Sequence, residues 1–345
     1  MAQSHRRRPV AVWLFVMSAL VALMVIVGGA TRLTDSGLSI VEWRPVTGAV
    51  PPLSQAHWQD EFDKYKTIPE YEEVNWGMSL DEFKRIYWWE WGHRFLGRVI
   101  GFAFLIPLIF FIATRRVDRA LAARLGVLFI LGGLQGALGW WMVSSGLSAR
   151  VDVSQYRLAA HLALALLLFA ALLWTAFDTI SAPRAARSSL APFAFALAGG
   201  VYLQMILGAF VAGLRAGRTF NTWPLMDGKL FPDGYFSAAP GFHDLFETAA
   251  ASQFNHRLGA YILAAAVGAF FLAARNSDIA GRARLLAFAI AAQIALGVWT
   301  VLAATPISLG LAHQAGALIV FALALFAAHG SIRSILMTGA SSSAA

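Results

Sequence analysis

The stretch WWEWGHRFLGRVIG, residues 88–101, sets a carboxylate, an imidazole and two guanidiniums at the head of a long apolar run: Glu90, His93, Arg94 and Arg98. Ionisable groups at membrane depth are costly to desolvate and mark function by default. Three more histidines, His161, His256 and His313, also stand at the head of apolar runs. A planar metallocycle with two trans axial ligands needs two imidazoles facing each other at one depth, and haem iron accepts neutral imidazole on both sides. Haem also carries two propionates, which suit the forked donors of arginine, so Arg94, Arg98 and Arg257 are candidate propionate contacts. Tetrahedral zinc would want three or four ligands converging in one place, which paired histidines without clustered carboxylates do not supply. Small residues one turn beyond the histidines (Gly97, Ala165, Gly259 and Ala260, Gly316 and Ala317) would let a macrocycle approach the backbone. Cysteine is absent, which excludes disulfides, thiolate metal sites, iron–sulfur clusters and cysteine nucleophiles.

The elements that must position these groups are membrane helices. Of 345 residues 58% are hydrophobic and 13% charged, against about 25% charged in a soluble domain. Apolar windows of about 20 residues predict eight spans, near 10–30, 93–113, 125–144, 158–177, 191–212, 256–274, 285–304 and 310–330. The first is expected to be an uncleaved helix rather than a signal peptide, because no small-residue cleavage pattern follows it. The connections on the N-terminal side hold 13 Lys or Arg against 3 acids, Asp118, Asp178 and Asp278; the opposite side holds 14 against 16. This asymmetry puts both termini in the cytoplasm and accounts for the net charge of +8 without a nucleic-acid partner. Two external segments are long, 31–92 and 213–255, and the first, rich in tryptophan, is expected to carry short amphipathic helices on the membrane surface. Faces rich in Gly and Ala permit a homo-oligomer without specifying one.

The two halves echo each other. EWGHRFLGRVIG at 90–101 matches QFNHRLGAYILA at 253–264, QGALGWW at 135–141 matches QIALGVW at 293–299, and GGATRLTDSGLSIVEW matches GAFVAGLRAGRTFNTW at 208–223. Duplication of a four-helix unit predicts an all-α membrane protein of two pseudo-symmetric bundles, residues 1–180 and 181–345. Each bundle would then hold one histidine pair, His93 with His161 and His256 with His313, each in the first turn of its span. Symmetry breaks at one chemical position: Glu90 lies three residues before His93, and Gln253 three before His256. A desolvated glutamate can move a proton and a glutamine cannot, so Glu90 marks the N-terminal bundle as the reactive one.

These motifs, together with GGATRLTDSGLSIVEWRPVTGAVPPL, TFNTWPLMDG and LAHQAGAL, resemble the haem A synthase family in its alphaproteobacterial and mitochondrial branch, over nearly the whole chain. The resemblance implies oxidation of the C8 methyl of haem O to a formyl group, giving haem A for cytochrome oxidase. It implies axial ligation of a resident haem B iron by His256 and His313, with Arg257 beside it. It further implies that His93 and His161 frame the substrate haem with Arg94 and Arg98, with Glu90 next to the reacting methyl. A haem O synthase (the protoporphyrin farnesyltransferase) is the implied partner, and the bacterial inner membrane with its lipid the implied setting. Some family members carry a cysteine pair in the first external loop; this chain has none, which closes that route for reductant handling. The rivals are a quinone-linked di-haem b-type electron-transfer protein and a haem transporter or chaperone.

Overall fold

The computed structural model describes residues 2–181, 186–236 and 244–333. Eleven helices account for almost all regular structure among them: α1 (Ala2–Leu33), α2 (Gln55–Tyr65), α3 (Pro69–Glu73), α4 (Leu80–Ala113), α5 (Arg119–Val143), α6 (Gln155–Ile180), α7 (Ala191–Gly213), α8 (Asp244–Glu247), α9 (Ala249–Ala274), α10 (Ala280–Leu302) and α11 (Ile307–Gly330). Two two-residue strands, Ala186–Arg187 and Ile332–Arg333, pair antiparallel. Eight helices, α1, α4, α5, α6, α7, α9, α10 and α11, are long and apolar enough to cross a membrane. Large apolar side chains such as Phe102, Ile106, Ile130, Ile262 and Phe288 are exposed along them. In water that surface would be costly, and in hydrocarbon it is the expected exterior. The chain is a multi-pass membrane protein.

The packing neighbours follow one cycle in each half. In the N-terminal half α1 packs on α4, α4 on α5, α5 on α6 and α6 on α1; in the C-terminal half α7 packs on α9, α9 on α10, α10 on α11 and α11 on α7. Between the halves α1 meets α11, α6 meets α7, and α6 meets α11. Exchanging the halves leaves this set of neighbours unchanged. The backbone repeats the correspondence: Asp35 and Arg215, which align in the repeat, both adopt a left-handed conformation, at φ 51° and φ 51°. They also bond to each other, Arg215 Nη2 to Asp35 Oδ1 at 3.0 Å. Asp152 joins the same group, 2.9 Å from Arg32 Nη1 and 2.9 Å from Arg215 Nη2.

Helix α4 starts earlier than the hydropathy predicts. Ser79 and Glu82 form a reciprocal capping box, which satisfies orphan backbone donors and fixes the helix start at Leu80. The polar residues 80–92 are therefore helical, and Glu90 lies three turns inside α4 rather than at its end. His93 is likewise well inside its helix, and His161, His256 and His313 lie about two turns into α6, α9 and α11. The expectation of first-turn histidines is corrected accordingly: caps at Ser79 and Thr248 extend α4 and α9 beyond the apolar run that marks the span.

The segment before α4 packs as a small aromatic layer. Phe62 and Tyr65 of α2, Tyr71 of α3, and Phe83 and Tyr87 of α4 are buried together. Within it Tyr65 Oη donates to Glu70 Oε2 at 3.1 Å and accepts from Asn75 Nδ2 at 2.7 Å. Burial raises the Glu70 carboxyl to about 8.

Candidate functional site

Each of the four histidines rests against a glycine of the neighbouring helix. A Cβ added to Gly28 of α1 would lie 3.1 Å from His93 Nε2, and one on Gly139 of α5 would lie 3.0 Å from His161 Cε1. In the other half, a Cβ on Gly208 of α7 would lie 3.3 Å from His256 Cε1, and one on Gly297 of α10 would lie 2.8 Å from His313 Cε1. At these distances the imidazole would have to shift to admit a methyl group, so glycine is what lets the ring approach the adjacent backbone this closely. The four pairs correspond between halves, Gly28–His93 with Gly208–His256 and Gly139–His161 with Gly297–His313.

Three of the four rings are also held by an amide four residues before the seating glycine. Gln135 Nε2 donates to the His161 carbonyl at 2.9 Å, Gln204 Nε2 to that of His256 at 2.8 Å, and Gln293 Nε2 to that of His313 at 2.7 Å. The same nitrogen lies 3.1 Å from Nδ1 of each ring, and Gln135 is also 3.3 Å from His161 Nε2. One amide thus ties ring and backbone of the same histidine, the kind of outer contact that fixes a ligand's orientation. Gly259 and Gly316, expected to make way for a macrocycle, instead make way for the glutamines: a Cβ on either would collide with Gln204 Oε1 or Gln293 Oε1.

The His256 and His313 ring centroids are 6.4 Å apart, with planes at 78°. A metal–nitrogen distance of about 2 Å on each side, plus roughly 1 Å from nitrogen to ring centre, gives about 6 Å for two imidazoles on one metal. The C-terminal pair therefore fits a bis-imidazole iron. In the other half His93 and His161 stand on α4 and α6. Among the described residues no three His, Cys, Asp or Glu converge as a metal-binding group, whereas tetrahedral zinc calls for three or four converging ligands.

Over each pair, the following loop is clasped by an arginine. Arg94 Nη2 donates to the Ile40 carbonyl at 2.9 Å, and Arg257 Nη2 to the Phe220 carbonyl at 3.0 Å; Ile40 and Phe220 align in the repeat. In the N-terminal half Glu90 completes the clasp. Its Oε1 accepts from Arg94 Nη2 at 2.6 Å and Nε at 3.1 Å, and its Oε2 accepts from Ser39 Oγ at 2.8 Å and the Ile40 amide at 2.9 Å. In the C-terminal half Gln253 Nε2 donates to the Phe220 carbonyl at 3.1 Å instead. Glu90 is only 3% exposed, and its four donors satisfy both oxygens of the buried carboxylate.

The three arginines expected to reach propionates are placed differently. Arg94 is committed to protein acceptors, Glu90, Ile40 and the Glu42 carbonyl, the last at 3.0 Å. Arg98 donates to the Pro45 and Arg44 carbonyls at 2.8 and 2.7 Å. Yet Nη1 of Arg98 and Nη1 of Arg257 are buried without a hydrogen-bond partner. An orphaned guanidinium N–H is costly unless an acceptor arrives, and a carboxylate of a bound porphyrin is one. Beside Arg98 a small cavity of about 40 Å³ is lined by Glu42, Arg44, Trp91 and Arg94. Of the remaining histidines, His57 is exposed on α2, and His329 Nε2 lies 3.1 Å from Asp178 Oδ1. His243 and the His5 side chain lie outside the described residues.

Three of the seating glycines and their clamping glutamines were visible in the sequence only as a repeat, QGALG, QMILG and QIALG. Their role depends on which helices are neighbours, which the sequence does not state.

The family model for COX15-CtaA, cytochrome oxidase assembly protein, matches residues 11–325. The chain belongs to the COX15-CtaA family. Family relatives named heme A synthase are similar over almost their whole length. That of Parvibaculum lavamentivorans is 57% identical over 321 residues, 93% of each chain. That of Caulobacter vibrioides is 52% identical over 329 residues, 93% of this chain and 96% of its own. That of Nitrosospira multiformis is 49% identical over 332 residues, 94% of this chain and 93% of its own.

Proposed function

We propose that the chain is a haem A synthase, an oxidoreductase that converts the C8 methyl of haem O to a formyl group and so supplies haem A for cytochrome oxidase. The observation that carries this reading is the set of four glycine-seated imidazoles, one pair per half, on a chain about 50% identical to relatives of that name. His256 and His313 hold a resident haem B through its iron in the C-terminal half. His93 and His161 frame substrate haem O in the N-terminal half. Bound haem supplies redox chemistry at its iron.

The chain's own residues bind, orient and move protons. Gln204 and Gln293 fix the planes of the resident ligands. Arg257 and Arg98 each offer a buried Nη1 to a porphyrin carboxylate. Arg94, held by Glu90, pins the Ile40–Glu42 backbone over the substrate pair. Glu90 is the buried acid of this half and the group assigned to catalysis beside the reacting methyl, held in place by Arg94, Ser39 Oγ and the Ile40 amide. The protein lies in the bacterial inner membrane with both termini in the cytoplasm, a reading supported by the excess of basic residues on the N-terminal side. A haem O synthase hands over its apolar product within the lipid.

The test is to express the chain with a source of haem O, extract the pigments and weigh them. A synthase yields hydroxylated and formyl porphyrins. Unaltered masses in both sites would make it an electron carrier or a haem transporter.

A further inference from the structure

His93 differs from the other three histidines in two independent ways. The first is chemical. Four residues before the seating glycine the pattern places Gln135, Gln204 and Gln293, but before Gly28 it places Met24. A thioether donates nothing, accepts weakly and turns about three bonds. A Cβ on Gly97, one turn beyond His93, would lie 3.0 Å from Met24 Cε, so the methionine side chain reaches α4 just beyond the histidine, as Gln204 reaches α9 at Gly259. The described hydrogen bonds include none to the His93 ring.

The second difference is orientation. The three clamped rings turn Cε1 toward their glycines, with Nδ1 next nearest at 3.6, 3.7 and 3.4 Å for His161, His256 and His313. His93 turns Nε2 toward Gly28 at 3.1 Å, with Cδ2 next at 3.6 Å. The His93 ring is thus turned differently from the other three, with Nε2 its closest atom to α1.

We propose that His93 is the displaceable ligand of the N-terminal site: lacking the amide clamp that holds the other three rings, it would leave the iron of a bound haem and open a coordination position there, while His161 stays under Gln135. This rests on the reading of that half as the substrate site. An electron carrier benefits from two fixed ligands, as Gln204 and Gln293 provide. A centre that must admit oxygen or water needs one that can leave. Met24 is on this view a positioning residue that acts by withholding a clamp.

Carbon monoxide, which binds ferrous haem only where an axial position opens, is the probe. The full chain carrying haem in both halves is reduced and titrated with carbon monoxide by visible spectroscopy. Wild type should bind it at the N-terminal haem alone. Met24→Gln should weaken that binding by about fivefold, the worth of one net hydrogen bond. The reciprocal Gln204→Met, at the equivalent place in the repeat, should make the C-terminal haem bind carbon monoxide as well. Equal affinities in wild type and both variants, or no binding by wild type, would overturn the proposal. Porphyrin masses from the same preparations keep the two readings apart, since unaltered masses in wild type sink the synthase assignment whatever the carbon monoxide titration shows.

Discussion

In the N-terminal half the loop clasp contains a buried ion pair, Glu90 with Arg94, and one histidine, His93, goes without an amide clamp. The C-terminal half reverses both choices: Gln253 stands in the clasp beside Arg257, and both histidines are clamped. The backbone cycle and the seating glycines are shared. Two substitutions at equivalent places therefore separate a half with a buried acid and an unclamped histidine from one with neither. On the proposed reading, that is the difference between a site that reacts and a site that carries electrons, achieved without altering the fold.

The comparison can be broken most directly at the ligands. His256→Ala should abolish the absorption of the C-terminal haem and leave the N-terminal haem in place, as read by spectra and pigment extraction. A spectrum identical to wild type would dissolve the assignment of halves. Glu90→Gln comes next. The C-terminal half already builds the clasp with glutamine, so the variant should fold and retain haem O, while formyl product falls by about a hundredfold or more. Undiminished product would remove Glu90 from the chemistry and leave it a loop anchor.

Smaller effects sharpen the picture. Gly297→Ala pushes a methyl to 2.8 Å from His313 Cε1 and should destabilise the haem-loaded protein by about 1–3 kcal/mol. Gly101→Ala, with nothing within 4 Å of its Cβ, should be neutral or gain up to about 1 kcal/mol from helix propensity. Thermal release of haem from the two variants measures the contrast. The smallest effect concerns Glu70, in the aromatic layer of the N-terminal half. Its folded pKa is raised to about 8, so the stability it contributes is fully present below the ordinary carboxylate range and is lost as pH rises to about 8. Proteolysis of the 31–92 segment should accelerate across that window, and Glu70→Gln should flatten the dependence.

Much of this was legible in the sequence. The eight spans follow from hydropathy, because a membrane helix must be long and apolar, and the paired histidines follow from the repeat. Glu90 stands out by its contrast with Gln253, yet its partner does not: the i,i+4 spacing to Arg94 predicts the ion pair, but the same arginine also suits a propionate. The start of α4 was hidden because Leu80 to Gly92 is too polar to count as membrane, although the Ser79-x-x-Glu82 signature was there to be read. The seats and clamps could not be read at all, since a glycine on α5 acquires meaning only when α6 is known to lie against it.

The contact between Asp35 and Arg215 carries a consequence for how the molecule came to be one chain. Two copies of the N-terminal half assembled in the same way would press aspartate against aspartate, and two copies of the C-terminal half arginine against arginine. Asp35 has Arg32 of its own half at 3.6 Å, but Arg215 meets its carboxylates, Asp35 and Asp152, only in the mixed assembly. Cut in the link at residues 178–190 and produced as separate polypeptides, the halves should recombine one to one and refuse to form twins, a built-in heterodimer whose partners happen to share a gene.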